Sequence, residues 1–513
     1  MRLFDFFDKQ ADARPDAVAV MFNGAASTYR DIQEQSRKVA QSLMAAGLPE
    51  GAKVASWIRN HPVFFSIQIG IHRTPYVWLP LNPRATAQEC ASNMEAFGAE
   101  WLFIEACFAD HIRLIRSSVP TLLGTVALNG EVDGCLSFED FCNGSEPRPA
   151  EVNIRPEDVV TLITTGGSTG KPKGVLRTSM NWAALIVNYR LKLFQGEPPT
   201  NLVATPLTHV AGEVAQAVFA EGGMNVILEK PDPVTILEAI ERYAITSLFV
   251  PPTLLYMMLA RNVPGKHRFG SLKYLMYGAA PISLDKLREA WKVFGPVMTQ
   301  LYGLMEATST VSIMSPMEHA ATLDGPAFGG VGRGSPLVMI DVFDENGRPA
   351  AAGTKGEVVC RGTNLCSGYE ANPEATAEAF RHGWFHTGDI GYRDKDGFFH
   401  LVDRRKDIII TGGFNIYPGE VEQVLWTHPA VQDCAVIGVP HDKWGEAVTA
   451  IVELKPGASV MESDLIALCK EQLGSVKAPK TVEIWPALPR SVVGKVLKKE
   501  IRAHYWKNLN RNI

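Results

Sequence analysis

Thr164-Thr165-Gly166-Gly167-Ser168-Thr169-Gly170-Lys171-Pro172-Lys173-Gly174 is the stretch on which the reading of this chain turns. The apolar run before it, Val159 to Thr165, reads as a buried strand, and Thr178 to Phe194 after it as a helix. Glycines accept positive φ, so successive backbone N–H groups can converge on an anion. Ser168 and Thr169 add hydroxyl donors, and Lys173 adds charge suited to a polyphosphate. The two lysines flanking Pro172 distinguish the stretch from a plain Gly/Ser surface loop. Gly166-Gly167-Ser168-Thr169-Gly170 is also a formal match to the G-x-S-x-G elbow of serine hydrolases, with Ser168 as nucleophile. Against that reading, Pro172 falls where the elbow's helix should already run, acyl hydrolysis needs neither lysine, and there is no H-G-G-G segment. A Walker A loop is excluded because Lys171 is followed by Pro172 rather than Ser or Thr.

Outward from this loop, short apolar runs alternate with longer amphipathic ones. Strands are expected at Leu202–Pro206, Asn225–Leu228, Ser247–Val250, Leu272–Tyr277 and Val297–Tyr302. Helices are expected at Glu213–Ala220, Val234–Tyr243, Thr253–Ala260 and Leu284–Phe294. That alternation implies a largely parallel sheet covered by helices, and residues 1–155 look mixed α/β as well. From about Pro336 the pattern changes to short strands separated by turn signals, which predicts a small β-barrel or antiparallel sheet. A charged cluster, Asp403-Arg404-Arg405-Lys406-Asp407, marks a boundary before a compact α+β stretch. The expectation is an α/β body at 1–403, a hinge at 404–407 and a small mobile α+β lid at 408–513.

Composition narrows the classes further. The chain has 513 residues, 46% apolar and 20% charged, with a net charge of −5. Such a balance argues against bulk nucleic-acid binding but not against a local phosphate site. None of the eight cysteines forms a C-x-x-C pair, so zinc-ribbon and thioredoxin-like readings fall away. The N-terminus carries acids where a signal peptide needs an apolar stretch, and no apolar run reaches the ~18 residues of a membrane span. The expected location is cytoplasmic, with no transmembrane segment; a homodimer stays open.

Further motifs occur in order along the chain. They are Pro206-Leu207-Thr208-His209-Val210-Ala211-Gly212, Tyr277-Gly278-Ala279-Ala280-Pro281, Tyr302-Gly303-Leu304-Met305-Glu306 and Trp384-Phe385-His386-Thr387-Gly388-Asp389. The charged cluster follows, then Gly412-Gly413-Phe414-Asn415-Ile416-Tyr417-Pro418, and finally Pro489-Arg490-Ser491-Val492-Val493-Gly494-Lys495. Together with the loop they resemble the adenylate-forming superfamily of acyl-CoA synthetases, luciferases and peptide-synthetase adenylation domains, most of all fatty-acyl-CoA ligases. The resemblance spans about residues 1–505.

The resemblance implies an enzyme that joins a carboxylate to the α-phosphorus of ATP and then passes the acyl group to coenzyme A, releasing AMP and pyrophosphate. On that reading Thr165, Gly167, Ser168, Thr169, Gly170 and Lys173 hold the ATP phosphates, and Glu306 with Thr165 contacts Mg²⁺. Gly278, Ala279, Ala280, Pro281, Tyr302 and Gly303 form the adenine side, with Tyr302 stacked on the base. Asp389 accepts from the ribose hydroxyls, and Arg404 adds a ribose or phosphate contact. Lys495 bridges carboxylate and α-phosphate during adenylation. His209 lines and gates the acyl pocket, Lys406 is the hinge, and Gly412-Gly413 line the pantetheine tunnel.

Met305 stands where the family usually has Thr, and a thioether cannot donate the hydrogen bond that a hydroxyl gives the α-phosphate. Gly166 replaces a common Ser. Val210-Ala211-Gly212 offers no acid to hold an ammonium before Glu213, which argues against amino acids as substrates. The apolar segments Glu213–Ala220, Thr253–Met258 and Ile313-Met314 favour a fatty, alicyclic or aromatic acid. The alternatives are an acyl-AMP ligase that loads an acyl carrier protein, a serine hydrolase using Ser168, and a nucleotide-binding protein without turnover.

Overall fold

The computed structural model describes residues 1–144, 152–165, 172–325, 327–490 and 496–506. Gly167, Ser168, Thr169, Gly170 and Lys495 lie outside the described residues.

The β-α alternation produces two eight-stranded sheets. The first runs Ser312–Met314, Met298–Tyr302, Tyr274–Gly278, Ser247–Val250, Thr200–Val203, Met224–Ile227, Val18–Phe22 and Ala25–Thr28. Its six central strands are parallel and the two edge strands antiparallel. Helices cover it as expected for parallel strands. Leu284–Phe294 matches its predicted bounds, while Val210–Ala220 starts three residues before its predicted first residue, Glu213. The latter is capped by His209, and its residues from Ala211 onward are buried without exception.

The second sheet runs Gly368–Tyr369, Lys173–Thr178, Val159–Thr165, Val77–Leu81, Lys53–Trp57, Ala99–Glu105, Gly124–Leu128 and Leu136–Ser137. It corrects one expectation. The phosphate-type stretch does not lead directly into a helix. Val159–Thr165 and Lys173–Thr178 pair antiparallel, with Thr165 opposite Lys173, and the helix starts only at Ser179. Thr178 caps that helix by accepting from the Asn181 N–H. The strand-turn-helix context required by a nucleophile elbow is therefore absent, which removes the main support for the hydrolase reading.

The stretch after Pro336 forms a four-stranded antiparallel sheet in the order Val338–Phe343, Gly356–Gly362, Phe385–Arg393, Phe399–Arg404; of the two expected forms, barrel or sheet, this is the sheet. Phe385–Arg393 was hidden from the sequence reading because polar Thr387, Gly388 and Asp389 interrupt its pattern. Beyond the short turn Arg405–Asp407, a five-stranded sheet with helices Pro418–Trp426 and Glu462–Lys477 encloses its own core, including Ile409, Val421, Leu425, Val436, Val448 and Leu465. Polar and ionic contacts join this part to the rest. Gln423 donates to the Ile282 carbonyl at 3.0 Å, and Lys355 pairs with Glu420 at 2.5 Å.

Candidate active site

The predicted residues gather where parallel strands end. Open α/β sheets place ligands outside the carboxyl ends of their strands. Gly278 ends Tyr274–Gly278, Tyr302 ends the adjacent Met298–Tyr302, and Gly278 pairs with Leu301. Thr165 ends its own strand in the second sheet.

The turns beyond these strands are tight. A Cβ on Gly278 would sit 2.2 Å from the Leu301 carbonyl oxygen, and one on Gly303 would sit 2.2 Å from the Ser309 carbonyl carbon. Only glycine fits either place. Ala279, Thr308 and Ser309 have φ of 66°, 42° and 51°, a left-handed conformation that costs a non-glycine residue of order 1–3 kcal/mol and persists where surrounding contacts fix it. Ala280 and Pro281 continue the Gly278 turn toward the helix Leu284–Phe294.

Tyr302 is buried, and its hydroxyl donates to Asp389 Oδ2 at 2.8 Å. Arg404 Nε lies 2.6 Å from Asp389 Oδ1, and the two residues face each other across neighbouring strands. Burial, reinforced by the Asp389 charge, holds the Tyr302 phenol well above its ordinary pKa, so it stays a donor. Residues far apart in sequence thus meet at one carboxylate, whose two oxygens suit a vicinal diol.

The second cluster surrounds Glu306. Tyr369 donates its hydroxyl to Glu306 Oε1 at 2.8 Å, and Lys173 Nζ stands 5.1 Å from the centre of the Tyr369 ring. The Cys366 N–H holds the Glu306 carbonyl at 2.7 Å. Sequence reasoning missed Tyr369, because the pairing of Gly368–Tyr369 with Leu176 and Val175 carries no local signal. The other Glu306 carboxylate oxygen has no hydrogen-bond partner among the described residues. No group of three or more His, Cys, Asp or Glu gathers as a metal cage among those residues. Mg²⁺ bound with a nucleotide takes one or two carboxylates and fills its shell with phosphate oxygens and water. One carboxylate, held by the tyrosine whose ring Lys173 approaches, fits a metal that arrives with ATP.

His209 caps the helix Val210–Ala220, and its Nδ1 lies 3.0 Å from the Thr208 hydroxyl. Burial lowers its pKa, so the ring is neutral near pH 7. Sequence reasoning also missed Arg177. Its side chain is fully buried, it pairs with Glu213 at 2.5 Å, and its Nε donates to the Met305 carbonyl at 2.9 Å. It joins the helix that carries His209 to the turn that carries Glu306.

On the lid side, Arg404 ends the last strand of the four-stranded sheet, and Lys406 is exposed in the turn that follows. Gly412 and Gly413 form the two-residue turn between Ile409–Thr411 and Phe414–Ile416, with φ of 56° and 84°. Such a turn demands positive φ twice. Arg490 and Val496 pair as an isolated antiparallel bridge. Arg490 bonds Asp433 and Glu453, and Lys498 pairs with Glu422 at 2.7 Å.

Residues 7–370 match the AMP-binding enzyme family, and residues 420–495 match the AMP-binding enzyme C-terminal domain. The chain belongs to the AMP-binding enzyme family. It is 34% identical over 501 residues to a feruloyl-CoA synthase from an Amycolatopsis species, covering 97% of this chain and 98% of that one. It is 37% identical over 504 residues to a medium/long-chain-fatty-acid–CoA ligase from Mycobacterium tuberculosis, covering 95% and 87%. The o-succinylbenzoate CoA synthetase of Bacillus subtilis, solved with its acyl-adenylate intermediate, superposes with a TM-score of 0.84 at 26% identity, covering 97% of each chain.

Proposed function

We propose that the protein is an ATP-dependent acid–thiol ligase, joining an apolar carboxylic acid to coenzyme A through an acyl-adenylate. The observation that carries this reading is a pair of side-chain clusters at the end of strand Met298–Tyr302 and the turn after it, Tyr302 with Asp389 and Arg404, and Glu306 with Tyr369, whose ring Lys173 approaches. A nucleoside diol fits the first and a metal-bound polyphosphate the second. The relatives named above, which act on feruloyl and fatty acyl groups, support the reaction class.

On this reading Lys173 neutralises the departing pyrophosphate and Glu306 orients the metal–phosphate group, while Asp389 fixes the ribose. The metal, when bound, offsets phosphate charge as the carboxylate attacks. Two anions must meet in line, so positioning and charge supply most of the rate. Lys495 joins them during adenylation and then withdraws as the lid turns about the Arg404–Asp407 segment. The division into 1–403, 404–407 and 408–513 is supported by the separate core after Ile408 and by the polar contacts that bridge it. The Gly412-Gly413 turn, open to solvent here, gives a pantetheine arm room to pass. A cytoplasmic setting belongs to the same reading. No helix among the described residues is long and apolar enough to cross a membrane.

Glu213 refines the choice of acid. Its carboxylate is engaged by Arg177, so it is committed within the protein and does not receive a substrate ammonium. That favours an acid without an α-amino group. ATP–pyrophosphate exchange across fatty, alicyclic, aromatic and amino acids, followed by CoA consumption, tests the proposal. Exchange with an apolar acid and thioester formation with free CoA are expected. Turnover only with a phosphopantetheinylated carrier would replace CoA by that acceptor, and no exchange with any acid would overturn the ligase reading.

A further inference from the structure

Among the described residues Arg177 is the one arginine in the set of largest fully buried side chains, and its surroundings are unusual for an ion pair kept for stability. Its Nη1 reaches Glu213 Oε1 at 2.5 Å, yet Glu213 Oε2 is buried with no hydrogen-bond partner among the described residues. A buried pair with an orphaned oxygen is a poor stabiliser, because desolvation of two charges is only partly offset. The remaining contacts point elsewhere. Nε donates to the Met305 carbonyl at 2.9 Å, and Nη2 lies 3.7 Å from the Met305 sulfur. Met305 opens the short turn Met305–Ala307, which is followed by two non-glycine residues in left-handed conformation, Thr308 and Ser309. Such a turn does not hold its own shape and needs outside contacts to fix it. The Cys366 N–H holds the Glu306 carbonyl, Tyr369 holds its carboxylate, and Arg177 holds the peptide just before it.

We propose that Arg177 and Glu213 form a buried positioning pair that aims the Glu306 carboxylate at the metal–nucleotide, with Met305 as the residue matched to the guanidinium. This rests on the reading of Glu306 as the metal contact. It also gives the departure at Met305 a physical role. The side chain that cannot donate to a phosphate instead presents its sulfur, a soft acceptor, to Arg177, which also holds the backbone carbonyl of the same residue. An error of about 1 Å in such a carboxylate is enough to matter.

The test separates positioning from packing. Calorimetry measures ATP affinity with Mg²⁺ and with EDTA for the wild type, for the double variant Arg177→Met/Glu213→Leu, and for Arg177→Lys. Removing both charges keeps the melting temperature near the wild type, as apolar replacement of a buried pair commonly does. The expected result is unchanged affinity for ATP in EDTA and a Mg²⁺-dependent gain in affinity reduced by about tenfold. Arg177→Lys keeps the charge but loses the planar fork, and should fall between the two. A Mg²⁺ gain equal to the wild type overturns the proposal, and so does equal loss with and without Mg²⁺. Should the double variant fail to fold, Arg177→Lys decides by the same comparison. A wild type that binds ATP without any Mg²⁺ gain would defeat the reading of Glu306 itself, and the pair's role with it.

Discussion

The nucleotide face of the body and the exposed turns at Lys406 and at Gly412-Gly413 are held in opposite ways. Around Tyr302, Gly303 and Glu306 the chain is enclosed, strained at Thr308 and Ser309, and fixed by contacts from three other strands. Lys406 and Gly413 are exposed, and the ion pair Arg405–Glu357 beside Lys406 has an arginine side chain that is 63% exposed, although Asp407 next to it is anchored by Arg502. Enclosed, over-determined geometry suits a site that must align two anions without rearranging. Exposed charge pairs are worth little individually and exchange partners readily, which suits a segment that turns between two steps.

The strongest way to break this comparison is Lys495→Ala. If the body only aligns and the lid brings the lysine, adenylation should fall by about 10²–10³-fold, while thioester formation from preformed acyl-adenylate stays largely intact. Equal loss in both steps would contradict the alternation of the lid between them.

A sharper test makes the same chemical change on each side. Gly303→Ala places a methyl group 2.2 Å from the Ser309 carbonyl carbon, so stability should fall by about 1–3 kcal/mol and ATP binding with it. Gly413→Ala meets nothing within 4 Å, and its cost is the left-handed backbone alone, about 1–2 kcal/mol. Denaturant unfolding gives the two stabilities. Exchange and thioester assays should show that Gly413→Ala slows only the CoA step.

How much of this was legible beforehand follows the range of the signal. Local periodicity placed Ser247–Val250 and Leu284–Phe294 without error. Resemblance to the family's motifs brought Tyr302, Asp389 and Arg404 into view, although 87 residues separate the first two. In the hairpin Val159–Thr165/Lys173–Thr178 the first strand was legible and the second was not, because Lys173-Gly174-Val175-Leu176-Arg177-Thr178 is short, carries no alternation and shows itself as a strand only by its pairing. Tyr369 and Arg177 escaped because their importance lies in contacts 63 and 128 residues away, to Glu306 and Met305. Glu213 was read within an apolar helix, and its charge became intelligible only once Arg177 lay beside it.

The enclosed side should also reveal itself through pH. Burial lowers the pKa of His72 to about 3 and of His319 to about 4, against 6.5 for an exposed ring. Both are depressed, so the unfolded chain binds the protons. Stability is then complete above about pH 6.5 and falls as the pH drops from there toward 4, by up to about tenfold in the folding equilibrium per histidine per pH unit. Melting curves across that range should show the slope, and His319→Gln should reduce it. The smallest expected effect lies on the exposed side. Arg405→Ala should change stability by less than about 1 kcal/mol, because its ion pair is solvated.

The central claim, that a carboxylate attacks the α-phosphorus, is tested most directly by isotope transfer. An apolar acid that supports exchange is labelled with ¹⁸O in both carboxylate oxygens and turned over with ATP and CoA, and the AMP is analysed by mass spectrometry. The account predicts one ¹⁸O in every AMP and none in pyrophosphate. Unlabelled AMP, or release of ADP and phosphate instead, would contradict it.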